Sequence, residues 1–333
     1  MTRKLRTGIP AAMGLLIIIL DTRTALAGAA DGLQLCIRTV IPSLFPFFVL
    51  SALLTSALIG ERLRILRPLG RLCGVSQGAE SLLLVGMLGG YPAGAQGIAQ
   101  AYSSGALSKT SAERMLPFCN LAGPAFLFGI VASKFDSPGT IWLLWGVHLL
   151  SAILVGALLP RPDAEQSVIK ATEPYTLPEA VQRSLKVMAT VCGWIILFRI
   201  LIAFLDRWVL WLFPDYVQVA ISGILELSCG CCDLGSVSNE GLRFIIAAGI
   251  LSFGGVCVTM QTASVAKGLR MRIYILGKIL QVLISILLAA LLQMNAFPIP
   301  TILWIIFPSG IALIAKILHK KQKRYSFSRL IGV

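Results

Sequence analysis

Inside a run apolar enough to enter a membrane, the chain reads LGGYPAGAQ at residues 88–96. Three glycines and a proline break any straight helix there, and backbone released from a helix at bilayer depth is tolerated only where protein covers it or a cavity opens beside it. The interruption therefore constrains the fold more than the apolar runs do, because it demands a covering structure. A second, NLAGP at 120–124, breaks the next run. ELSCGCCDLG at 226–235 and SFGGVCVTMQ at 252–261 break two more in the second half. Two pairs of interrupted segments in corresponding places point to a transporter built from a repeated unit.

Composition supplies the solvent for these segments. With 56% hydrophobic and 13% charged residues and a mean hydropathy of +0.84, the chain carries too much apolar surface for a soluble protein of 333 residues. Apolar runs fall at about 8–20, 41–59, 81–102, 115–133, 140–159, 187–205, 217–227, 242–265, 273–292 and 301–318. Several approach the ~20 residues that a helix needs to cross the hydrocarbon, and the interrupted ones are candidates for re-entrant or broken helices, so roughly eight to ten inserted segments are expected. The predicted class is an all-α polytopic membrane protein of two repeats, inverted with respect to one another, each with two broken or re-entrant helical segments.

The net charge of +14 does not mark a nucleic-acid binder. Its basic residues cluster beside apolar runs: Arg3, Lys4 and Arg6; Arg62, Arg64, Arg67 and Arg71; Lys267, Arg270 and Arg272; and the tail at 316–324. This is the positive-inside pattern, and it assigns those clusters to the cytoplasmic face with the bilayer as partner. The stretch 61–71 also suits a short basic helix on anionic headgroups. The eight cysteines lie mostly within apolar runs, which reads as reduced packing residues. CGCC at 229–232 lacks a second CxxC or a nearby His to complete a metal site, so close helix packing is the expectation, with no metal and no cofactor.

Residues 1–30 form an N-terminal transmembrane segment or signal anchor. A positive start, an apolar core and Ala25-Leu26-Ala27 also allow a cleavable signal peptide, and a retained helix is preferred. From Asp31, DGLQLCIRTVIPSLFPFFVL aligns with EAVQRSLKVMATVCGWIILF from Glu179, matching Asp31 with Glu179, Gln34 with Gln182 and Arg38 with Lys186 at one offset. The expected organisation is a first transport repeat at 31–160, a polar linker with three prolines at 161–178, a second repeat at 179–295, and a final transmembrane helix with a basic cytoplasmic tail at 296–333.

The breaks supply the candidate substrate-binding residues. Gly90, Gly94 and Gly123 remove side-chain bulk, Pro92 and Pro124 withhold donors, and half-helices starting after such breaks offer amides to an anion. Tyr91 is a stacking platform for a planar ligand, and Gln96 and Asn120 are hydrogen-bonding candidates. The competing reading is close helix packing through small residues. In the second half, Gly254, Gly255 and Gln261 are the matching candidates. Glu226 would place a carboxylate well inside the apolar layer, where charge is expensive and tied to ion or proton paths, so it is the candidate for proton or ion coupling as well as for substrate. Asp233 sits at an aqueous boundary. His148 reads as a packed or interfacial histidine rather than a proton relay, and Lys278 is expected to snorkel to the cytoplasmic face. No Walker loop or nucleophile–base arrangement appears, so no catalytic residue is assigned and the chain is not expected to be an enzyme.

The ordered set VIPSLFPFFVLS (40–51), GGYPAGAQ (89–96), FCNLAGPAFLFG (118–129), the segment around Glu226 and FGGVCVTMQ (253–261) resembles the sporulation integral membrane protein YlbJ family, within the wider nucleoside-recognition or gate-domain membrane proteins. The set covers most of residues 31–295. The resemblance implies a protein of endospore formers, made in the mother cell, that moves dipicolinic acid across the outer forespore membrane towards the forespore, with other sporulation membrane proteins as potential partners. Dipicolinate is a planar aromatic dianion, suited to half-helix amides and a stacking tyrosine. The chain departs from the family pattern at Gln96, where a basic residue is expected, and at CGCC beside the glutamate. The leading reading is a permease for a small planar anion; the alternatives are a nucleoside or nucleobase transporter and a non-transporting sporulation scaffold.

Overall fold

Helix signals in the sequence are each followed by an apolar run. The computed structural model describes residues 3–58, 61, 63–161 and 173–293. The first helix, α1 (Arg3–Leu20), is followed by α2 (Thr22–Leu35), capped by the Asp21 carboxylate accepting from the Thr24 amide. One π-helical turn (Cys36–Val40) joins α2 to α3 (Ile41–Leu58) in a single long helix. This helix begins before the boundary at 31, and Ala25-Leu26-Ala27 lies inside it. A short basic helix, α4 (Arg67–Leu72), leads to α5 (Glu80–Leu88) and α6 (Ala93–Ser103), then α7 (Lys109–Cys119) and α8 (Pro124–Phe126) with its π-helical extension (Leu127–Val131), and an uninterrupted α9 (Pro138–Leu158).

The second half follows the same order of elements. A long α10 (Leu177–Trp208) starts at a capping box of Thr176 and Glu179. Two interrupted pairs come next, α11 (Asp215–Leu225) with α12 (Leu227–Cys232), and α13 (Glu240–Phe253) with α14 (Gly255–Val265), before the uninterrupted α15 (Met271–Gln293). Ser108 and Asn239 cap α7 and α13. No strand occurs among the described residues. Among the described residues, six helical stretches are long and apolar enough to cross a membrane, and α11, like the α5–α6 pair, falls short because the chain breaks there. A compact unit, Met1–Ala289, holds every element of interest. The expected final helix and tail, and most of the linker, lie outside the described residues.

The two long helices run antiparallel. Asp21 pairs with Arg207 at 3.0 Å and Asp31 with Arg199 at 3.8 Å, while at the far end the Tyr175 amide donates to Ser56 Oγ at 3.0 Å. Large apolar side chains along α10 and α15, such as Leu197, Leu201, Leu276 and Leu283, stay exposed, as helices facing lipid require. The inner faces close on a core that includes Leu82, Leu116, Phe118 and Tyr274.

At the basic end, the buried Arg114 of α7 donates to the carbonyls of Cys73 and Gly156 at 2.6 Å, Pro160 at 2.7 Å and Leu159 at 3.1 Å. It thereby joins three separate stretches of the first half. Arg67, expected at the headgroups, instead turns to the buried Glu80 at 2.7 Å.

Candidate functional site

The four interruptions meet. Between α5 and α6, Gly90 takes φ +72°, a conformation that disfavours side chains, and a cis Tyr91–Pro92 bond follows. Between α7 and α8, residues 120–123 run extended, and Gly123 lies so close that a Cβ on Gly90 would sit 3.2 Å from its nitrogen. Between α11 and α12 the break is Glu226 itself, at φ −140°. Between α13 and α14 it is Gly254 at φ +80°, against which the Tyr91 ring lies. Tyr91 OH donates to the Leu251 carbonyl at 3.4 Å, so the first break of one half rests on the second break of the other.

A cavity of about 40 Å³ lies among them, lined by Gly90, Tyr91, Gly123, Glu226 and Gln261 with Phe48 and Phe126. That is room for a water or two, since one water's share of liquid volume is about 30 Å³. As it stands, the cavity is too small for a planar organic anion. Glu226 is buried and caps α12, accepting from the Cys229 amide at 2.7 Å. Gln261 is buried and turns its amide to Cys257 Sγ at 3.2 Å.

The remaining residues singled out in the sequence divide. Pro92 and Gln96 line a separate, larger recess. Gly94 serves packing, because a Cβ there would overlap the Cys119 carbonyl oxygen. Asn120 is wholly occupied: Oδ1 accepts from the Ala95 amide at 3.3 Å and Nδ2 donates to Thr262 Oγ1 at 2.9 Å. Pro124 opens α8, and Gly255 packs on the backbone of residues 223–227. In CGCC, a Cβ on Gly230 would overlap the Gly223 backbone, so the motif serves close packing of α12 on α11. The cysteines are free, and among the described residues no group of three or more His, Cys, Asp and Glu is placed to hold a metal.

The structure overturns the expectation for Lys278. Its side chain does not snorkel: it is 0% exposed, and Nζ donates to Tyr91 OH and Gln281 Oε1, each at 3.0 Å. Gln281 reaches on to the His148 carbonyl at 3.4 Å. His148 is packed: Nε2 accepts from the Ala122 amide at 3.2 Å, which assigns the ring proton to Nδ1, facing Ser252 Oγ at 3.5 Å. Lys278 and Gln281 stand three apart in an apolar helix, the spacing that puts two polar groups on one face. That spacing was the available signal for an inward amine. Its partner, 187 positions away, had none.

The chain is 28% identical over 315 aligned residues to sporulation integral membrane protein YlbJ of Bacillus subtilis (strain 168), covering 79% of this chain and 76% of that protein. This likeness supports a relationship to the YlbJ family. It is a sporulation-associated integral membrane protein, as this YlbJ relationship and the apolar helices together indicate. No family model matches the chain, and no solved structure matches it.

Proposed function

We propose that this protein is a permease for a small planar anion, dipicolinate, moved towards the forespore across the mother-cell-derived outer forespore membrane. The observation that carries this reading is the convergence of three helix breaks, and of the half-helix that follows the fourth, on one small cavity. Unwound backbone at that depth is tolerated where protein buries it or where it lines such a space, and here it lines one. The antiparallel long helices and the repeated element order support two inverted repeats that rock about the cavity, enlarging it to admit a solute. Lys278, with hydroxyl and amide partners and no carboxylate among its described contacts, stands behind Tyr91 as the counter-charge for an anion. Glu226, facing the same cavity, is the coupling group.

Uptake by purified protein in proteoliposomes, under an imposed pH gradient, tests the reading. Saturable dipicolinate flux that adenosine fails to compete is the expected result. Competition by adenosine would replace the anion with a nucleoside, and absence of flux with either solute would leave the scaffold reading in its place.

A further inference from the structure

A second, larger hollow lies at the basic end, the end that the positive-inside rule assigns to the cytoplasm. Its volume of about 660 Å³ falls within the ~300–1,000 Å³ typical of small-ligand sites. We propose that this recess is a capture site for small organic dianions, holding a dicarboxylate at the mouth before it reaches the central cavity. The proposal rests on the transport reading only for the ligand's onward path, since capture is measurable without flux.

Three cations line the recess: Arg183 and Lys186 from α10, and Lys267 from the turn between α14 and α15. Among the described residues, no acidic side chain lines it and none of the three forms an ion pair. The positive-inside rule accounts for their sign but not for their convergence, from two distant parts of the chain, on one concavity. Such a concavity lined by one sign of charge concentrates ligands of the other.

Ser184 is the independent observation. It lies between Arg183 and Lys186, lines the same recess, is only 2% exposed, and its Oγ has no hydrogen-bond partner. A buried hydroxyl left unmatched is unfavourable, and a rotation that turns Oγ into the recess would pair it with a ligand oxygen. Gln96 and Gln100, one turn apart on α6, add amide donors from the opposite wall. The Arg183 guanidinium carbon lies 4.2 Å from the Tyr175 ring centroid, a cation–π contact that leaves its N–H edge free for a carboxylate. Phe48 lines both this recess and the central cavity, and Pro92 of the recess directly follows Tyr91 of the cavity. One aromatic ring and the first helix break therefore form the wall between the two.

A phosphate-bearing lipid headgroup shares the anionic chemistry, so the test separates the two sources. Full-length protein is placed in phosphatidylcholine nanodiscs and titrated calorimetrically with dipicolinate as probe. The double variant Lys186→Gln/Lys267→Gln is expected to bind about tenfold more weakly, and raised salt to weaken wild-type binding in the same direction. Ser184→Ala is expected to weaken binding about threefold with an unchanged melting temperature, a milder variant that keeps the result readable should the double variant misfold. Equal affinity in wild type, the double variant and Ser184→Ala would overturn the proposal. Loss of dipicolinate binding on changing to phosphatidylglycerol nanodiscs would identify the headgroup as occupant and overturn it as well. Unaltered binding in these variants alongside wild-type flux would sink the capture site and leave the permease standing, whereas intact capture without flux would do the reverse.

Discussion

The two halves secure their broken helices differently. In the first half, each break is gripped by side chains from the second: Tyr91 by Lys278, Asn120 by Thr262, and His148, which holds the Ala122 amide, by Ser252. In the second half, Glu226 caps its own helix through Cys229, and Gly255 packs on residues 223–227 of the same half. The first half's breaks are clasped by polar side chains of the other half, whereas the Glu226 turn is held within its own half and only the Gly254 break of the second half meets the first, through Tyr91. A movement that parts the halves must therefore release the polar contacts at Tyr91, Asn120 and His148 while leaving the Glu226 turn intact, so the clasp is where conformational energy resides and Glu226 is the portable element.

That contrast can be broken at several points. The largest effect is expected from Gly94→Leu, which drives a side chain into the Cys119 carbonyl and should lower stability by about 3 kcal/mol, at the top of the overpacking range. Yield and melting temperature in detergent report it, and near-wild-type values would show that the first two breaks need not touch. Lys278→Met comes next: dipicolinate uptake is expected to fall about 100-fold with melting temperature held or raised, since replacing a buried charge by an apolar chain is often neutral or stabilising. Retained uptake would remove the counter-charge role.

Glu226→Gln keeps an acceptor for the Cys229 amide, so α12 should persist. Uptake driven by a pH gradient is expected to drop about tenfold while exchange of labelled for unlabelled dipicolinate continues. Equal loss of both would assign Glu226 to binding rather than coupling. Asn120→Ala strands the Ala95 amide and removes one of the two partners of the Thr262 hydroxyl, and thermal unfolding should record about 2 kcal/mol of destabilisation. The smallest change is expected from Asp233→Asn, whose exposed pair with Arg199 at 3.8 Å should alter stability by less than about 0.5 kcal/mol.

The breaks themselves were legible, because glycine and proline loosen the helix that lipid otherwise imposes, and an amide or carboxylate in the same apolar run needs a polar partner. The all-helical class followed from the same runs. What the residues did not disclose is direction. Lys278 lies within two turns of the start of its helix, where a lysine stem ordinarily reaches water, and only the rotation of α15 decides that it points at Tyr91. Arg67 reads as one more member of a basic cluster until Glu80 is seen beside it. The recess was invisible for a related reason: Lys186 and Lys267 carry no common signal in a chain where cations flank almost every apolar run.

Arg114 has a mechanical corollary. A single guanidinium rivets the turn after α4, the middle of α7 and the last turn of α9 into one block, so torque applied anywhere on that block is delivered to all of it. The lever arm of the first half begins at this rivet, and its pivot must be sought among the glycines beyond it.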